Sequence, residues 1–255
     1  MPRLALRNFP GAVALTVSSS GVVTAADAAS LKPASIAVET WVVPTLWQVS
    51  PSYNPILTKS TGGAWGDGYG LYFKNDRSIQ WWVNAYSGGA GGGSVSLLNA
   101  VTSPYRWMHL VGTYDGANVR LYLNGVQQGV TAYSTAFTHS TDLLRVGNHA
   151  GAGNAPDANI AGVRIWGRAL SAQEVSDRYF LGRDDASMRT NLALQWDFSE
   201  QAGTSTADGS GSGNVGTLSS SSLWTTSVPL QATRTAATAR TAATARTAAS
   251  ARAAA

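Results

Sequence analysis

The chain has 255 residues, with 18 lysines and arginines against 14 acids, a formal charge of +4. Four of those arginines (Arg234, Arg240, Arg246 and Arg252) stand among the last 25 residues, which hold no acid, so residues 1–230 carry 14 bases against 14 acids and no net charge. A neutral globular part excludes the basic face of a nucleic-acid-binding domain, the lack of cysteine excludes thiolate catalysis, disulfides and zinc–thiolate sites, and no run approaches the ~18 apolar residues of a membrane span.

In chain order, residues 1–17 offer two arginines and then the apolar run Phe9-Pro-Gly-Ala-Val-Ala-Leu-Thr-Val17. Pro10-Gly11 interrupts it, so it reads as an opening strand in preference to the apolar stretch of a secretion signal. Short alternating or apolar runs follow, with Gly, Asn, Asp and Pro between them. They predict strands at 36–43, 70–74, 78–86, 95–99, 107–115, 118–123, 143–147, 158–166 and 192–198. Asn124-Gly125 is a two-residue hairpin turn, since both residues tolerate positive φ, and Asp115-Gly116 closes another. One helix is expected. Ser171-Ala-Gln-Glu174 is a capping box and Gly182 a terminator, which brackets a helix ending near Leu181. With 27 glycines, nine tryptophans, nine tyrosines and 13% charged residues, the composition suits an all-β sandwich of about this length as one domain.

Several segments resemble a known family. Trp107-Met-His-Leu-Val-Gly-Thr-Tyr-Asp115 running to Leu123-Asn-Gly125 is similar to the central double strand of LamG-like (laminin-G, concanavalin-A-like) jelly rolls. Gly162-Val-Arg-Ile-Trp-Gly-Arg-Ala-Leu-Ser-Ala-Gln-Glu-Val175 resembles the family's closing strand and short helix. Val38-Glu-Thr-Trp-Val-Val-Pro44 resembles its early strand, with Ala25-Ala-Asp27 and Ser30-Leu-Lys-Pro33 before it. Trp196-Asp-Phe-Ser-Glu-Gln-Ala-Gly203 with Ala207-Asp-Gly-Ser-Gly-Ser-Gly-Asn214 is similar to its edge segment. The resemblance covers residues 4–228 and implies an all-β jelly roll of two antiparallel sheets with one short helix. It does not single out a function, because the fold hosts lectins, glycosidases, adhesion modules and virion proteins alike.

Catalytic signatures are missing. A glycosidase needs two carboxylates on one side of the scissile bond, and concanavalin-like glucanases set theirs on one strand as E-x-D-x-x-E. The three glutamates here, Glu39, Glu174 and Glu200, have no such spacing, and Glu39 stands alone in an apolar strand as a paired or rim carboxylate. His109, His139 and His149 form no H-E-x-x-H motif, and Gly88-Gly-Ala-Gly-Gly-Gly93 lacks the lysine of a phosphate loop. The chain is therefore expected not to be an enzyme. The resemblance raises Ca²⁺, a hard cation that takes oxygen ligands. The family's acidic pair would fall near Ala161-Gly162, where no carboxylate stands. The remaining candidates are Asn148, Asn154, Asp157 and Asn159, with Asp208 and Asn214 in the edge segment, all residues that turns favour in any case. No cofactor is expected.

Aromatic placement says more. Alternation along 78–86 puts Ile79, Trp81, Val83 and Ala85 on one face and Gln80, Trp82, Asn84 and Tyr86 on the other. The second face mixes rings and amides, which suits either a sugar or another subunit, where Trp, Tyr and Arg are also enriched. Tyr72 with Lys74, and Arg120 with Tyr122, are expected to join it from neighbouring strands, with Trp65 at a rim. Trp41, Trp107, Trp166 and Trp196 are expected in the core.

Residues 231–255 repeat Arg-Thr-Ala-Ala-Thr/Ser-Ala every six positions. In an extended chain six residues is a whole number of repeats, so the four arginines share a face. The organisation read from the sequence is a jelly roll over 1–230 and an assembly tail over 231–255. The function read from it is a non-catalytic structural or decorating protein of a virion or extracellular appendage, or a lectin-like adhesion module. Its expected partners are further copies of the chain and a glycan, with no nucleic acid and no membrane span, at an extracellular or virion surface.

Overall fold

The structure, a computed structural model, describes residues 14–19, 21–46, 53–61, 66–84, 92–100, 106–148 and 155–225. The strands in chain order begin with β1 (Ala14–Ser19), β2 (Val23–Ala25), β3 (Ile36–Pro44), β4 (Tyr53–Lys59), β5 (Tyr69–Lys74) and β6 (Ile79–Val83). There follow β7 (Gly93–Leu97), β8 (Met108–Tyr114), β9 (Asn118–Leu123), β10 (Val126–Ala132), β11 (Leu144–Val146) and β12 (Ala155–Trp166). After helix α1 (Ala172–Leu181) come β13 (Leu192–Trp196), β14 (Ser205–Thr206), β15 (Gly216–Leu218) and β16 (Trp224–Thr225). They make two antiparallel sheets. The first runs β10-β9-β8-β3-β12-β1-β16, with β13 also on β12, and the second runs β14-β15-β2-β11-β4-β5-β6-β7. This is the all-β jelly roll expected from the sequence. Among the described residues, no helix is long and apolar enough to cross a membrane.

The core lies between the sheets and is read directly from alternation. Ile36, Val38 and Val42 of β3 meet Leu71, Phe73, Ile79 and Trp81 of β5 and β6 across it. Trp81 lies against Gly112 of β8, where a methyl group would come within 2.2 Å of its ring, and its Nε1 donates to the Thr113 carbonyl at 3.1 Å. Between sheets at the usual ~10 Å separation, the missing side chain of Gly112 makes the space this indole occupies.

All nine residues of β3 are buried, because the outer face of the first sheet is covered as well. Helix α1 does the covering: Val175 packs with Trp166, Leu170, Met188 and Tyr122, while Tyr179 stacks on Trp41 at 5.7 Å. Its caps are those read from the sequence. Glu174 N–H donates to Ser171 Oγ at 3.2 Å, Ser171 N–H donates to Glu174 Oε2 at 2.8 Å, and Gly182 takes φ of 61°. Trp166 and Trp196 are fully buried as expected, and Trp41 and Trp107 lie under the helix with Tyr179.

Two expectations about strands are corrected. The strand expected over 78–86 ends at Val83, because Asn84 takes φ of 65°, a left-handed conformation that breaks the pleat. β4 is absent from the strands expected, and it accommodates Pro55 at a register shift between Pro55 and Leu57.

Gly112→Ala tests how closely the sheets approach. Its Cβ meets a rigid indole rather than a flexible chain end, so the substitution should destabilise by about 1–3 kcal/mol or more in urea unfolding, with the near-ultraviolet signal of Trp81 altered.

Candidate functional site

The outer face of the second sheet collects the aromatic residues that the sequence singled out. On β6, Gln80 and Trp82 point outward while Ile79, Trp81 and Val83 fill the core, as alternation requires. Register then decides their neighbours: Gln80 stands opposite Tyr72 and Ser96, and Trp82 opposite Gly70 and Ser94. Beyond them, Tyr53 pairs with Lys74, and Arg145 of β11 with Thr58 and Thr24.

Trp82 lies across Gly70, where a methyl group would sit 2.7 Å from the indole Nε1 and 2.8 Å from Cε2 and Cζ2. Its ring centroid is 5.8 Å from that of Tyr72, which is 6.2 Å from that of Tyr53. The rings form a run across β6, β5 and β4. Trp82 and Tyr72 are closed to solvent, and the run opens at half-buried Tyr53, with Lys74 Nζ 5.6 Å from its ring centre. Trp82 Nε1 is buried and has no hydrogen-bond partner among the described residues. An unmatched buried donor costs about 1–3 kcal/mol, so this N–H faces a position where an acceptor is wanted. Ring faces beside amides and hydroxyls can hold a small polyol by stacking and by hydrogen bonds.

Not every expected residue joins this face. Asn84 is spent on the fold: its amide donates to Tyr133 Oη and the Ala136 carbonyl, both at 2.8 Å, and accepts from Thr138 N–H at 2.7 Å. Arg120 and Tyr122 belong to β9 in the other sheet, where Arg120 pairs with Asp115 and Tyr122 packs under α1. Tyr86, Trp65 and the four tail arginines lie outside the described residues. Tyr53, Ser94, Ser96 and Arg145 were missed. Tyr53 was hidden by Pro55, and the two serines carry no hydrophobic signal.

The outer face of the first sheet holds a buried charge network instead. Glu39 Oε1 accepts from Arg178 Nε at 2.6 Å and lies 2.6 Å from His109 Nε2, while Arg164, cross-strand on β12, is 3.7 Å from Oε2. Burial alone would raise the Glu39 pKa, but Arg178, His109 and Arg164 outweigh it and hold the carboxyl far below the usual range. Arg164 reaches Asp197 at 3.1 Å, and Arg178 reaches Asp184 at 3.5 Å. The other glutamates are equally occupied. Glu174 is held down to about 2, against the upward push of partial burial, by Arg168 and by Ser171. Glu200 accepts from Ala207 N–H at 2.8 Å and from the Thr206 hydroxyl at 3.3 Å.

The cation candidates separate. Asn159 accepts from the Thr16 hydroxyl at 2.8 Å, the Asp157 peptide carbonyl accepts from Thr45 N–H at 2.8 Å, and Asn148 follows β11. Asn154 lies outside the described residues. Asp208 accepts from the N–H groups of Gln195, Ser210 and Asn214 and from the Ser210 hydroxyl, all at 2.8–2.9 Å. A carboxylate so enclosed by donors is a loop organiser, and a cation would have to displace them. Among the described residues, no three His, Cys, Asp or Glu side chains converge.

The sequence profile of the concanavalin A-like lectin/glucanases superfamily matches residues 17–176. Among solved structures, the chain is similar to a protein of Bacteroides ovatus ATCC 8483 provisionally described as carbohydrate binding. The TM-score is 0.64 at 18% identity, over 82% of this chain and 58% of that one. It is also similar to the binding domain of botulinum neurotoxin serotype G, with a TM-score of 0.51 at 17% identity over 66% of this chain and 42% of that one. A heptameric SAP-like pentraxin of Limulus polyphemus gives 0.50 at 12% identity, over 69% and 84%. At these identities the likeness is one of fold. The chain spans less than two thirds of the length of the first two. No curated protein sequence matches it.

The Glu39 network makes a pH prediction. A carboxyl whose folded pKa lies below its unfolded value of about 4.3 contributes stability that is complete above about pH 5 and is lost as pH falls through that window toward the folded pKa. Glu39→Gln leaves two arginines buried beside a neutral amide and should cost about 3–5 kcal/mol at pH 7. Its unfolding free energy, measured from pH 7 to pH 3, should fall less steeply than that of the native chain; an equally steep acid limb would place the titration elsewhere.

Proposed function

Because the chain belongs to the concanavalin A-like lectin/glucanase superfamily, we propose that it is a non-catalytic lectin-like module whose saccharide site is the outer face of the second sheet. The observation that carries this reading is the run Trp82–Tyr72–Tyr53, which opens to solvent at half-buried Tyr53. The saccharide stacks at Tyr53, where the run meets solvent, with Tyr72 and Trp82 backing that ring from inside. Ser94 and Ser96 border the run on β7, and Gly70 seats the indole flat against β5.

Binding rather than hydrolysis is favoured by where the carboxylates are. Glu39, Glu174 and Glu200 are each engaged by arginine, histidine or backbone donors, and none projects from a strand onto this face. A general acid needs a raised pKa and a nucleophile needs access; Glu39 and Glu174 are shifted the opposite way. Release of reducing sugar from any polysaccharide would overturn the non-catalytic part of the proposal.

The finer setting rests on the sequence. The arginine repeat over 231–255 is an assembly arm, and the module acts at an extracellular surface, as the decorating protein of a virion or appendage. Neutral charge over 1–230 and regular arginine spacing beyond it support that division.

Two measurements test these readings. In ¹⁵N spectra of the intact chain, the Trp82 indole N–H behind Tyr72 should shift on titration with a bound oligosaccharide, and Tyr53→Ala should weaken binding about tenfold, near 1.4 kcal/mol. Binding that survives Tyr53→Ala unchanged places the site elsewhere. Deleting 231–255 should lower the mass of any assembly seen in light scattering while the melting temperature stays within a few degrees; an unaltered assembly removes the arm.

A further inference from the structure

The register of the second sheet says more about the ligand than that it is a sugar. Taking the outward position of each strand in turn, the charged residues on this face are Lys74 on β5 and Arg145 on β11. Both are cations. Every other described outward strand position is an aromatic, an amide, a hydroxyl, a glycine or a proline, and none is an acid. In a chain whose first 230 residues balance to zero, that is an uneven distribution.

The partners of the two cations stand at strand ends and not over the face. Lys74 Nζ is 3.6 Å from Asp76, in the turn after β5, and that carboxylate is half exposed. Arg145 is 3.2 Å from Asp142, in the segment before β11. The Lys74–Asp76 pair, whose carboxylate is half exposed, contributes little, on the order of 0–1 kcal/mol, and leaves the ammonium able to turn toward a second anion, whereas Arg145 and Asp142 are more enclosed. Lys74 also stands 5.6 Å from the centre of the Tyr53 ring, at the open end of the aromatic run. Lys74 and the Tyr53 ring thus share the open end of the run, and a saccharide seated there meets the cation and the ring together. Lysine suits this role as a compact, mobile charge that needs no fixed fork geometry.

We infer that the site selects an acidic saccharide, with a carboxylate on the sugar paired to Lys74 while the ring stacks at Tyr53. This rests on the saccharide reading above. It goes further in naming the charge of the ligand and the residue that reads it.

The test compares a uronic-acid oligosaccharide with the same oligosaccharide after its carboxyls are reduced to alcohols, by titration calorimetry on the full chain. The tail arginines attract any anion, so the comparison is repeated with Arg234, Arg240, Arg246 and Arg252 all changed to Gln. The acidic form should bind about tenfold more tightly in both proteins, and the margin should shrink as salt shortens the Debye length. Lys74→Gln, with its melting temperature checked, should bring the acidic form down to the level of the neutral one. Equal affinity for the two forms overturns the inference, as does a preference that survives Lys74→Gln or disappears with the tail arginines. If neither form binds and no indole resonance moves with any saccharide, the lectin reading itself falls. A neutral sugar that moves the Trp82 resonance without an acidic preference sinks only the charge.

Discussion

Two consecutive tryptophans on β6 set the terms for both faces of the second sheet. A strand sends neighbours to opposite sides, so Trp81 enters the core and Trp82 leaves it. Each indole then needs a neighbour without a side chain. Trp81 finds Gly112 on the facing sheet, and Trp82 finds Gly70 on the adjacent strand. The two glycines sit on different sheets, yet one register relation ties them to a single dipeptide. Slipping β6 by one residue against β5 would exchange the two indoles, driving polar Gln80 into the core and both ring systems into occupied space. The core and the candidate site are thus specified together, and the pairing of β5 with β6 is the element they share.

The two outer faces of the sandwich have been put to different uses. Over the first sheet, α1 seals the strands, and a buried carboxylate held between Arg178, Arg164 and His109 fixes how the helix sits. Such a network contributes specificity of arrangement more than net stability, since each ion gives up its water on burial. Its consequence for function is indirect. With Glu39 held as a carboxylate by its arginines and histidine and the helix in place, the acid that looked most conspicuous in the sequence is withdrawn from chemistry. Over the second sheet the polar groups at the described outward strand positions are hydroxyls, amides and two cations, and among the described residues the Trp82 indole N–H has no acceptor. Among the described residues both outer faces keep buried polar atoms without a partner, Glu39 Oε2, His109 Nδ1 and Arg164 Nε over the first and Trp82 Nε1 over the second, so it is the run of rings opening at Tyr53 that sets the second apart.

The fold was legible because its signals are local. Alternation, the Asn124-Gly125 turn and the Ser171–Glu174 capping box each act within a few residues, and the structure bears out all three. The site was only partly legible because it is assembled by register. Gln80, Trp82 and Tyr72 could be grouped from alternation on adjacent strands, whereas Arg120 and Tyr122 follow the same rule and yet belong to the other sheet. No pattern within β9 reveals which sheet it joins. Asn84 misled for a different reason. Asparagine is read as a ligand amide by composition, but after glycine it is also among the residues most tolerant of left-handed φ, and here that tolerance ends the strand and ties it to the segment around Tyr133–Thr138.

Charge repays the same treatment. Summed over residues 1–230 it vanishes, and a reader of composition alone would leave it there. Resolved by face, the acids gather with arginines around α1 and in the turns, as in Asp184 with Arg178 and Arg189, and Asp177 with Arg183. The outward strand positions of the second sheet are left with Lys74 and Arg145. A surface can be neutral in total and still present one sign where a ligand would lie, because the field at a small site is set by the charges within about a Debye length of it. That is why the balance of the whole chain and the preference of its site are separate questions, and why only the register of the strands connects them.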